Sequence, residues 1–243
     1  MQKGIEKRNY SKINGLSKNA RIAGFMYLIF IITTIFADLF GNIGFGDAAT
    51  IVNTIVSNSF LFQIGFISNL FTAVFFFLAA WFLYRILKPV NKNIALLFLL
   101  LNLSGVITQC IATLNLISAM TVLSGANYLQ AIATDQIQAQ AMLFIEIYKN
   151  GFNIAQIFYG AWVFPLGYLI FKSRFFPKIL GILLMIDCFA ILTYFLQFFI
   201  FPEYTLIAYP CYVISAISEF SLTFWLLFKG ASNDILKTDI IKK

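Results

Sequence analysis

Three polar side chains stand at matching positions inside long apolar stretches of this chain. Asp187, Glu219 and Asn102 each lie nine or ten residues from a lysine at the end of the stretch. A helix rises about 1.5 Å per residue, so each would lie about 14 Å from that end, near the middle of a hydrocarbon core about 30 Å thick. Carboxylates at this depth are costly and mark proton or cation sites. The spacing therefore predicts an ion or small-molecule site with Asp187 and Glu219 at its base.

A second set of polar residues is predicted nearer the outer membrane surface by the same helical count. Asn69 and Gln109 belong to it, and the fourth apolar stretch adds Glu146 and Lys149, which share one helix face. Together with the first set they predict a polar cleft that opens outward and ends at mid-membrane. Its ligand- or ion-binding residues are predicted to be Glu219, Asp187, Asn102, Gln109, Asn69, Glu146 and Lys149.

Each of these residues also has a structural interpretation. Asn and Gln side chains within spans often hydrogen-bond one helix to another, which would account for the three amides. Glu146 and Lys149 lie at interface depth, where they could form a solvated face. Glu219 is harder to explain structurally, because it stands mid-span with no cation at matching depth. It must be protonated, hydrogen-bonded or bound to a positive group.

Six apolar stretches position these residues. The chain is 60% hydrophobic and only 11% charged, with a mean hydropathy of +0.86, whereas soluble domains carry about 25% charged residues. Each stretch is long enough for a membrane-spanning helix, which needs about 20 residues. The fold class is therefore predicted as all-α, a bundle of six transmembrane helices. The predicted spans are Arg21–Phe40, Ser59–Ile86, Asn93–Leu123, Ala139–Phe171, Pro177–Phe201 and Thr205–Phe228.

The distribution of charge predicts the orientation of these spans. Of the 17 Lys and Arg residues, only Lys149 lies outside the two tails and the even-numbered connections. Lys and Arg are enriched in cytoplasmic loops, so both termini are predicted inside. The domain prediction follows from this: a basic cytoplasmic tail at 1–20, a single six-span membrane domain at 21–229 and a polar cytoplasmic tail at 230–243.

Short amphipathic helices are predicted in the first two outer connections. Asp47 is a good N-cap, and four apolar residues follow at helical spacing between Ile51 and Val56, which predicts a helix lying on the outer surface. The Gln-rich connection at 125–138 predicts a second short helix. The G-x-x-x-G motif of close helix–helix contact does not occur in the spans.

The composition excludes several functional classes. The chain has no histidine, which excludes His-ligated metals and Ser-His-Asp chemistry. The three cysteines show no metal or disulfide spacing, and no cofactor motif occurs, so we expect no metal and no cofactor. Nucleic acid is not an expected partner, because the basic residues are spread over four segments. An intramembrane enzyme using the two carboxylates as acid and base stays open, although no nucleophile–base pair supports it.

Five segments of the chain resemble the signatures of one protein family. The opening signature is matched by A-R-I-A-G-F-M-Y-L at 20–28, and the closing one by S-E-F-S-L-T-F-W-L-L-F-K-G at 218–230. Between them stand G-D-A-A at 46–49, L-Y-R-I-L-K-P-V-N at 83–91 and F-P-L-G-Y-L-I-F-K-S-R-F-F-P-K-I-L-G-I-L-L-M at 164–185. The chain thus resembles the uncharacterised bacterial membrane proteins grouped as domain-of-unknown-function family 4386.

The resemblance implies one multi-span helical domain with no established activity. Glu219 falls in the matching closing signature. The family usually has a small or apolar residue where Asp187 stands, and often an arginine near the position of Asn102. Either the carboxylate pair is particular to this chain or Asp187 is incidental to the site, and Glu219 is the site residue that the resemblance supports best.

The sequence supports two functional hypotheses. The first is a membrane protein that handles a small molecule or ion, as a transporter or a sensor, through the outward-opening cleft. The alternative is a non-catalytic membrane module that binds a partner membrane protein or lipid. Either would reside in the cell membrane, which the resemblance makes the bacterial cytoplasmic membrane. Membrane lipid is an expected partner, a small molecule or cation is the candidate ligand, and a homo-oligomer is compatible with the chain's size.

Overall fold

The computed structural model describes residues 2–44, 46–127 and 132–231. Regular structure in these residues is helical throughout. A π-helical segment, Trp225–Lys229, follows the last α-helix directly, and a short 3₁₀ turn, Thr205–Ile207, precedes that helix. The α-helices are α1 (Gln2–Gly41), α2 (Ala48–Ser57), α3 (Ser59–Leu87), α4 (Lys92–Val122), α5 (Thr134–Lys172), α6 (Lys178–Ile200) and α7 (Ala208–Phe224).

Six of these helices are long and apolar enough to cross a membrane, as predicted. The chain is therefore a multi-pass membrane protein, and the observed spans begin and end within a few residues of the predicted ones. The main difference lies at the start. Residues 2–20 were expected as a separate tail, whereas the structure makes them helical and continuous with the first span. Residues 232–243, most of the predicted C-terminal tail, lie outside the described residues.

The helices contribute to two compact units. Among the described residues, the first unit comprises 2–28, 77–103 and 156–231, and the second comprises 29–44, 46–76, 104–127 and 132–155. The first unit therefore holds all of α6 and α7 with parts of four other helices. The second unit holds α2 with the remaining parts of those four helices.

Helix α2 begins where the sequence predicts, at the Asp47 N-cap. The Asp47 carboxylate accepts a 2.7 Å hydrogen bond from the backbone N–H of Thr50. Its apolar face packs against the protein: Ile51 and Ile55 are buried in the core of the second unit, and of the four apolar residues named above only Val56 is exposed. The second predicted short helix falls partly on residues 128–131, outside the described residues, and from Thr134 the chain belongs to α5.

The cap of α2 predicts a local dependence on pH. Hydrogen bonds from Thr50, first from its side chain and then from its backbone, lower the pKa of the exposed Asp47 carboxyl below its usual value. A group with a depressed folded-state pKa stabilises the fold at neutral pH, and this stabilisation is lost as the pH falls through that pKa. We expect the amides of 48–57 to lose hydrogen-exchange protection on acidification. The Asp47→Asn variant keeps a capping oxygen but cannot titrate, so an equal loss in that variant would contradict this assignment.

Close glycine contacts join helices within each unit, although the spans lack a G-x-x-x-G motif. In the first unit, a Cβ atom added to Gly181 would lie 2.6 Å from the carbonyl oxygen of Gly167. In the second unit, a Cβ atom added to Gly65 would lie 2.7 Å from the backbone nitrogen of Gly41. Single glycines on facing helices therefore allow the backbones to approach closely. The absence of a G-x-x-x-G motif gave no indication of these contacts.

Candidate functional site

Helices α6 and α7 pack antiparallel in the first unit and hold the buried carboxylate of Asp187. Ser215 of α7 donates a 2.5 Å hydrogen bond to Asp187 Oδ1, and Ser218 donates a 3.1 Å bond to the carbonyl oxygen of Leu183. Asp187 is fully buried. Its second oxygen, Oδ2, has no hydrogen-bond partner. One half of this carboxylate is therefore fixed by α7, while the other half is free to accept a bond.

The structure brings Glu219 to the same place. Glu219 of α7 is close enough to Asp187 for the two negative charges to interact. The hydroxyl of Tyr27 on α1 hydrogen-bonds to Glu219, and Tyr27 itself is buried. Three helices therefore meet at the pair. Tyr27 was not among the predicted site residues, and its position in the opening signature is the only sequence signal that could have indicated it.

The hydroxyl groups of α7 behave differently from those of the other spans. Eight serines and threonines of other spans donate to a carbonyl three or four residues earlier in their own helix: Thr33, Thr34, Ser68, Thr72, Thr108, Thr113, Ser118 and Thr121. Thr72 also lies 3.0 Å from the hydroxyl of Thr33 on α1, to which it can donate. In α7, Ser215 and Ser218 reach across to α6 instead. Thr223, one turn beyond Glu219, is fully buried and its Oγ1 has no partner.

Asn102 adds a further buried polar group in the first unit. Both its Nδ2 and its Oδ1 are without a hydrogen-bond partner, and its exposed fraction is 0%. Trp225 Nε1, at the start of the π-helical segment, is also unpartnered. An unsatisfied buried polar group costs about 1–3 kcal/mol. Four residues of the first unit (Asn102, Asp187, Thr223 and Trp225) therefore carry atoms suited to water or to a polar ligand.

In the second unit, Asn69 and Gln109 satisfy each other, although Oδ1 of the buried Asn153 has no hydrogen-bond partner. Gln109 Nε2 donates to Asn69 Oδ1 at 3.2 Å, and Asn69 Nδ2 donates to Thr113 Oγ1 at 3.4 Å. The side chain of Tyr148 also hydrogen-bonds to Asn69. This network ties α3, α4 and α5 together. It is the interhelical role that the sequence left open for Asn69 and Gln109.

The two charged residues predicted on α5 also belong to the second unit. Glu146 is exposed and Lys149 is partly buried. Lys149 lies close enough to Asp47, the cap of α2, to act on its charge. The carbonyl oxygen of Lys149 accepts a 2.8 Å bond from Asn153 Nδ2. Glu146 and Lys149 are thus placed with α2 in the second unit, while Asp187, Glu219 and Asn102 are placed in the first.

The donor set around the carboxylate pair is made of oxygens. Within the described residues no cluster of three or more His, Cys, Asp or Glu side chains could hold a metal ion. Two carboxylates with neighbouring hydroxyls from Tyr27, Ser215 and Thr223 can exchange a proton, accept hydrogen bonds from a cationic group, or coordinate a hard monovalent ion. Oxygen ligands of this kind suit hard cations.

The first and last spans are in contact, and the site lies where they meet. Tyr27 bonds to Glu219, and a Cβ atom added to Gly24 would lie 2.8 Å from the backbone nitrogen of Leu227 in the π-helical segment. Gly230, with a left-handed φ of 65°, packs against Ser17. The segments that resemble the opening and closing signatures of the family are therefore in contact.

The extent of the family match decides the classification. The family model described as "Domain of unknown function (DUF4386)" matches residues 22–230. The chain belongs to this family. Within the matched residues of this DUF4386 chain lie Tyr27, Asp187 and Glu219, together with all six described spans apart from the first residues of α1. No curated protein and no solved structure matches the chain.

Proposed function

We propose that this membrane protein binds a proton or a small cation at the Asp187–Glu219 pair, and that it uses this binding for transport or sensing. One observation carries the proposal: Asp187 is fully buried, and the partly buried Glu219 on the neighbouring helix lies close enough for the two charges to interact. Among the described residues, the groups that act on these carboxylates are the hydroxyls of Ser215 and Tyr27, and neither supplies a positive charge.

The physical reason is the cost of two negative charges in an apolar interior. An ionised carboxylate is expensive to bury without a partner, and a like charge beside it adds repulsion. A shared proton or a bound cation removes both costs. The pair therefore favours binding of a positive charge, whether a proton, a monovalent metal ion or a protonated amine.

The unpartnered atoms nearby support a ligand larger than a proton. Asp187 Oδ2 and Thr223 Oγ1 are both buried acceptors without a donor. Thr223 lies on the same face of α7 as Glu219, one turn away. Asp187 Oδ2 would gain a hydrogen bond or a coordination bond from a cation bound at the pair, and Thr223 Oγ1 could accept a hydrogen bond from a larger ligand or from water beside Glu219. Asn102, on α4, would supply a donor and an acceptor to water or to a ligand in the first unit.

The proposal assigns different roles to the residues of the predicted cleft. Asp187, Glu219 and Asn102 bind, while Asn69 and Gln109 stabilise helix contacts in the second unit. The predicted ligand role of Glu146 and Lys149, which belong to the second unit, stays a prediction. We also propose that the protein lies in a bacterial cell membrane and that both termini face the cytoplasm. The confinement of all Lys and Arg residues except Lys149 to the tails and even-numbered connections supports this orientation.

Infrared difference spectroscopy tests the binding directly. Purified protein in a neutral detergent is titrated separately with sodium, potassium and methylammonium chloride at constant ionic strength. We expect at least one cation to shift carboxyl bands, and Asp187→Asn to remove that shift. If no cation changes the bands, and acid does not either, the pair is structural. The alternative function, a non-catalytic module that binds a partner membrane protein or lipid, would then be favoured.

A further inference from the structure

Two turns of the first unit contain six Lys and Arg side chains. The first turn joins α3 to α4 and the second joins α5 to α6. Because α4 and α5 are consecutive membrane-crossing helices, both turns emerge at the same membrane surface. The six residues are Arg85, Lys88, Lys92, Lys172, Arg174 and Lys178. We call these segments, 85–92 and 172–178, the basic turns.

Aromatic rings hold four of these cations at the membrane boundary. The Lys88 ammonium lies 5.6 Å from the ring centre of Tyr84, and the Lys172 ammonium lies 5.8 Å from that of Tyr168. Two further pairs have the same geometry: Arg85 with Phe82 at 5.9 Å, and Lys178 with Phe171 at 5.5 Å. In the three pairs within one helix, the cation lies back over a ring three or four residues nearer the apolar span. These charges therefore sit at headgroup level.

No carboxylate of the neighbouring sequence offsets these charges. Neither 48–134 nor 147–186 contains an Asp or Glu residue. Arg85, Lys88, Lys172 and Lys178 are all exposed on the protein. Side chains close by on the spans, such as Ile179 and Leu97, are exposed and apolar. An anion with apolar chains could therefore contact the exposed Lys172 and Lys178 and the adjoining apolar helix surface at the same time.

The start of α6 adds hydrogen-bond donors to the same place. Its N-cap, Pro177, provides no side-chain bond to the first turn of the helix. The first backbone N–H groups of a helix favour an anion, and a phosphate accepts bonds from them readily. By contrast, α4 is capped by Asn91, whose Oδ1 accepts bonds from the N–H groups of Asn93 and Ile94. The uncapped start of α6, beside Lys178, is thus the better phosphate position of the two.

We propose that the basic turns form a binding surface for anionic phospholipid. The phosphate would lie at the start of α6 between Lys172 and Lys178, and the acyl chains would lie along the exposed apolar faces of the adjoining spans. A phosphate without acyl chains meets the same charges but gains nothing from the apolar faces. The surface therefore selects a lipid over a free anion and is independent of the carboxylate pair.

The test compares two short-chain lipids with the protein in neutral detergent. Dioctanoyl phosphatidylglycerol should bind and raise the unfolding temperature, whereas dioctanoyl phosphatidylcholine and glycerol phosphate should have little effect. Each cation near an anionic lipid surface contributes about 1 kcal/mol, so Lys172→Gln/Lys178→Gln should weaken phosphatidylglycerol binding by about 30-fold. Arg85→Gln/Lys88→Gln should act in the same direction.

Two control variants make the result specific. Lys149→Gln removes a cation of the second unit and should leave phosphatidylglycerol affinity unchanged. Tyr168→Leu keeps every charge but removes the ring under Lys172, and should weaken binding by a smaller factor of about 2- to 5-fold. Equal affinity for both lipids would overturn the proposal, as would an equal loss in the Lys149→Gln variant. Full binding of glycerol phosphate would show an anion site without lipid selectivity and would overturn it as well.

Discussion

Replacing Glu219 by Gln is expected to weaken cation binding by about 10- to 100-fold while leaving the unfolding temperature unchanged or higher. Gln preserves the size of the side chain and can still bond to the Tyr27 hydroxyl, but it carries no charge. A hydrogen bond to a charged group contributes about 1.5–3 kcal/mol, which corresponds to this range of affinity. Removing the like charge beside the buried Asp187 also relieves repulsion. Isothermal titration with the cation that shifts the carboxyl bands provides the measurement, and thermal unfolding of the same sample provides the stability.

Two further variants separate binding from folding. Tyr27→Phe removes the hydroxyl that bonds to Glu219 and keeps both charges, so it should lower stability by about 1 kcal/mol and affinity by less than Glu219→Gln does. Asn69→Ala opens the amide network of the second unit and should lower stability alone. If Glu219→Gln instead destabilises the protein as much as Asn69→Ala and leaves affinity intact, Glu219 is a structural residue.

Replacing Gly181 by Ala is expected to destabilise the protein by about 1–2 kcal/mol. The added Cβ atom would lie 2.6 Å from the carbonyl oxygen of Gly167 and 2.6 Å from the backbone nitrogen of Phe171. Both are backbone atoms of α5, so relief requires α5 and α6 to separate. Overpacking a close contact typically costs about 1–3 kcal/mol. The helix preference of alanine offsets about 1 kcal/mol at most. Equilibrium unfolding in mixed detergent micelles gives the free-energy change.

The matched control for this substitution is Gly15→Ala. Gly15 also lies in a helix, but a Cβ atom added there has no neighbour within 4 Å. The same chemical change should therefore be neutral or slightly stabilising. Gly167→Ala, on the other side of the contact, should resemble Gly181→Ala, because its Cβ atom would lie 2.8 Å from the carbonyl oxygen of Gly181. A neutral Gly181→Ala variant would show that the α5–α6 crossing tolerates a wider spacing than observed.

Hydrophobic length predicted the six spans because it is a local property. A membrane-crossing helix satisfies its own backbone hydrogen bonds, so a long apolar stretch needs no information from the rest of the chain. The N-cap at Asp47 was predicted for the same reason, since the residue bonds to Thr50, three positions later. The buried face of α2 was not predicted, because its spacing of apolar residues is equally suited to a membrane surface and to a protein core.

The residues of the candidate site were predicted only from their depth in the membrane. Counting residues placed Asp187, Glu219 and Asn102 in one layer but could not give the rotation of each helix about its axis. Rotation is set by side-chain packing between helices, including contacts of single glycines such as Gly24. Only the structure could therefore show that Tyr27 meets Glu219. It also showed that Asn69 and Gln109 bond to each other, which the count had left open.

The sequence by itself determined the fold class, the number and extent of the spans and the presence of carboxylates within them. These follow from composition and from distances along one helix. The tertiary structure decided which polar groups are satisfied and which are left free. Asn69 found partners on neighbouring helices, whereas Asp187 Oδ2 and Thr223 Oγ1 did not. That distinction depends on contacts between residues far apart in the chain, and hydropathy and spacing along one chain do not encode them.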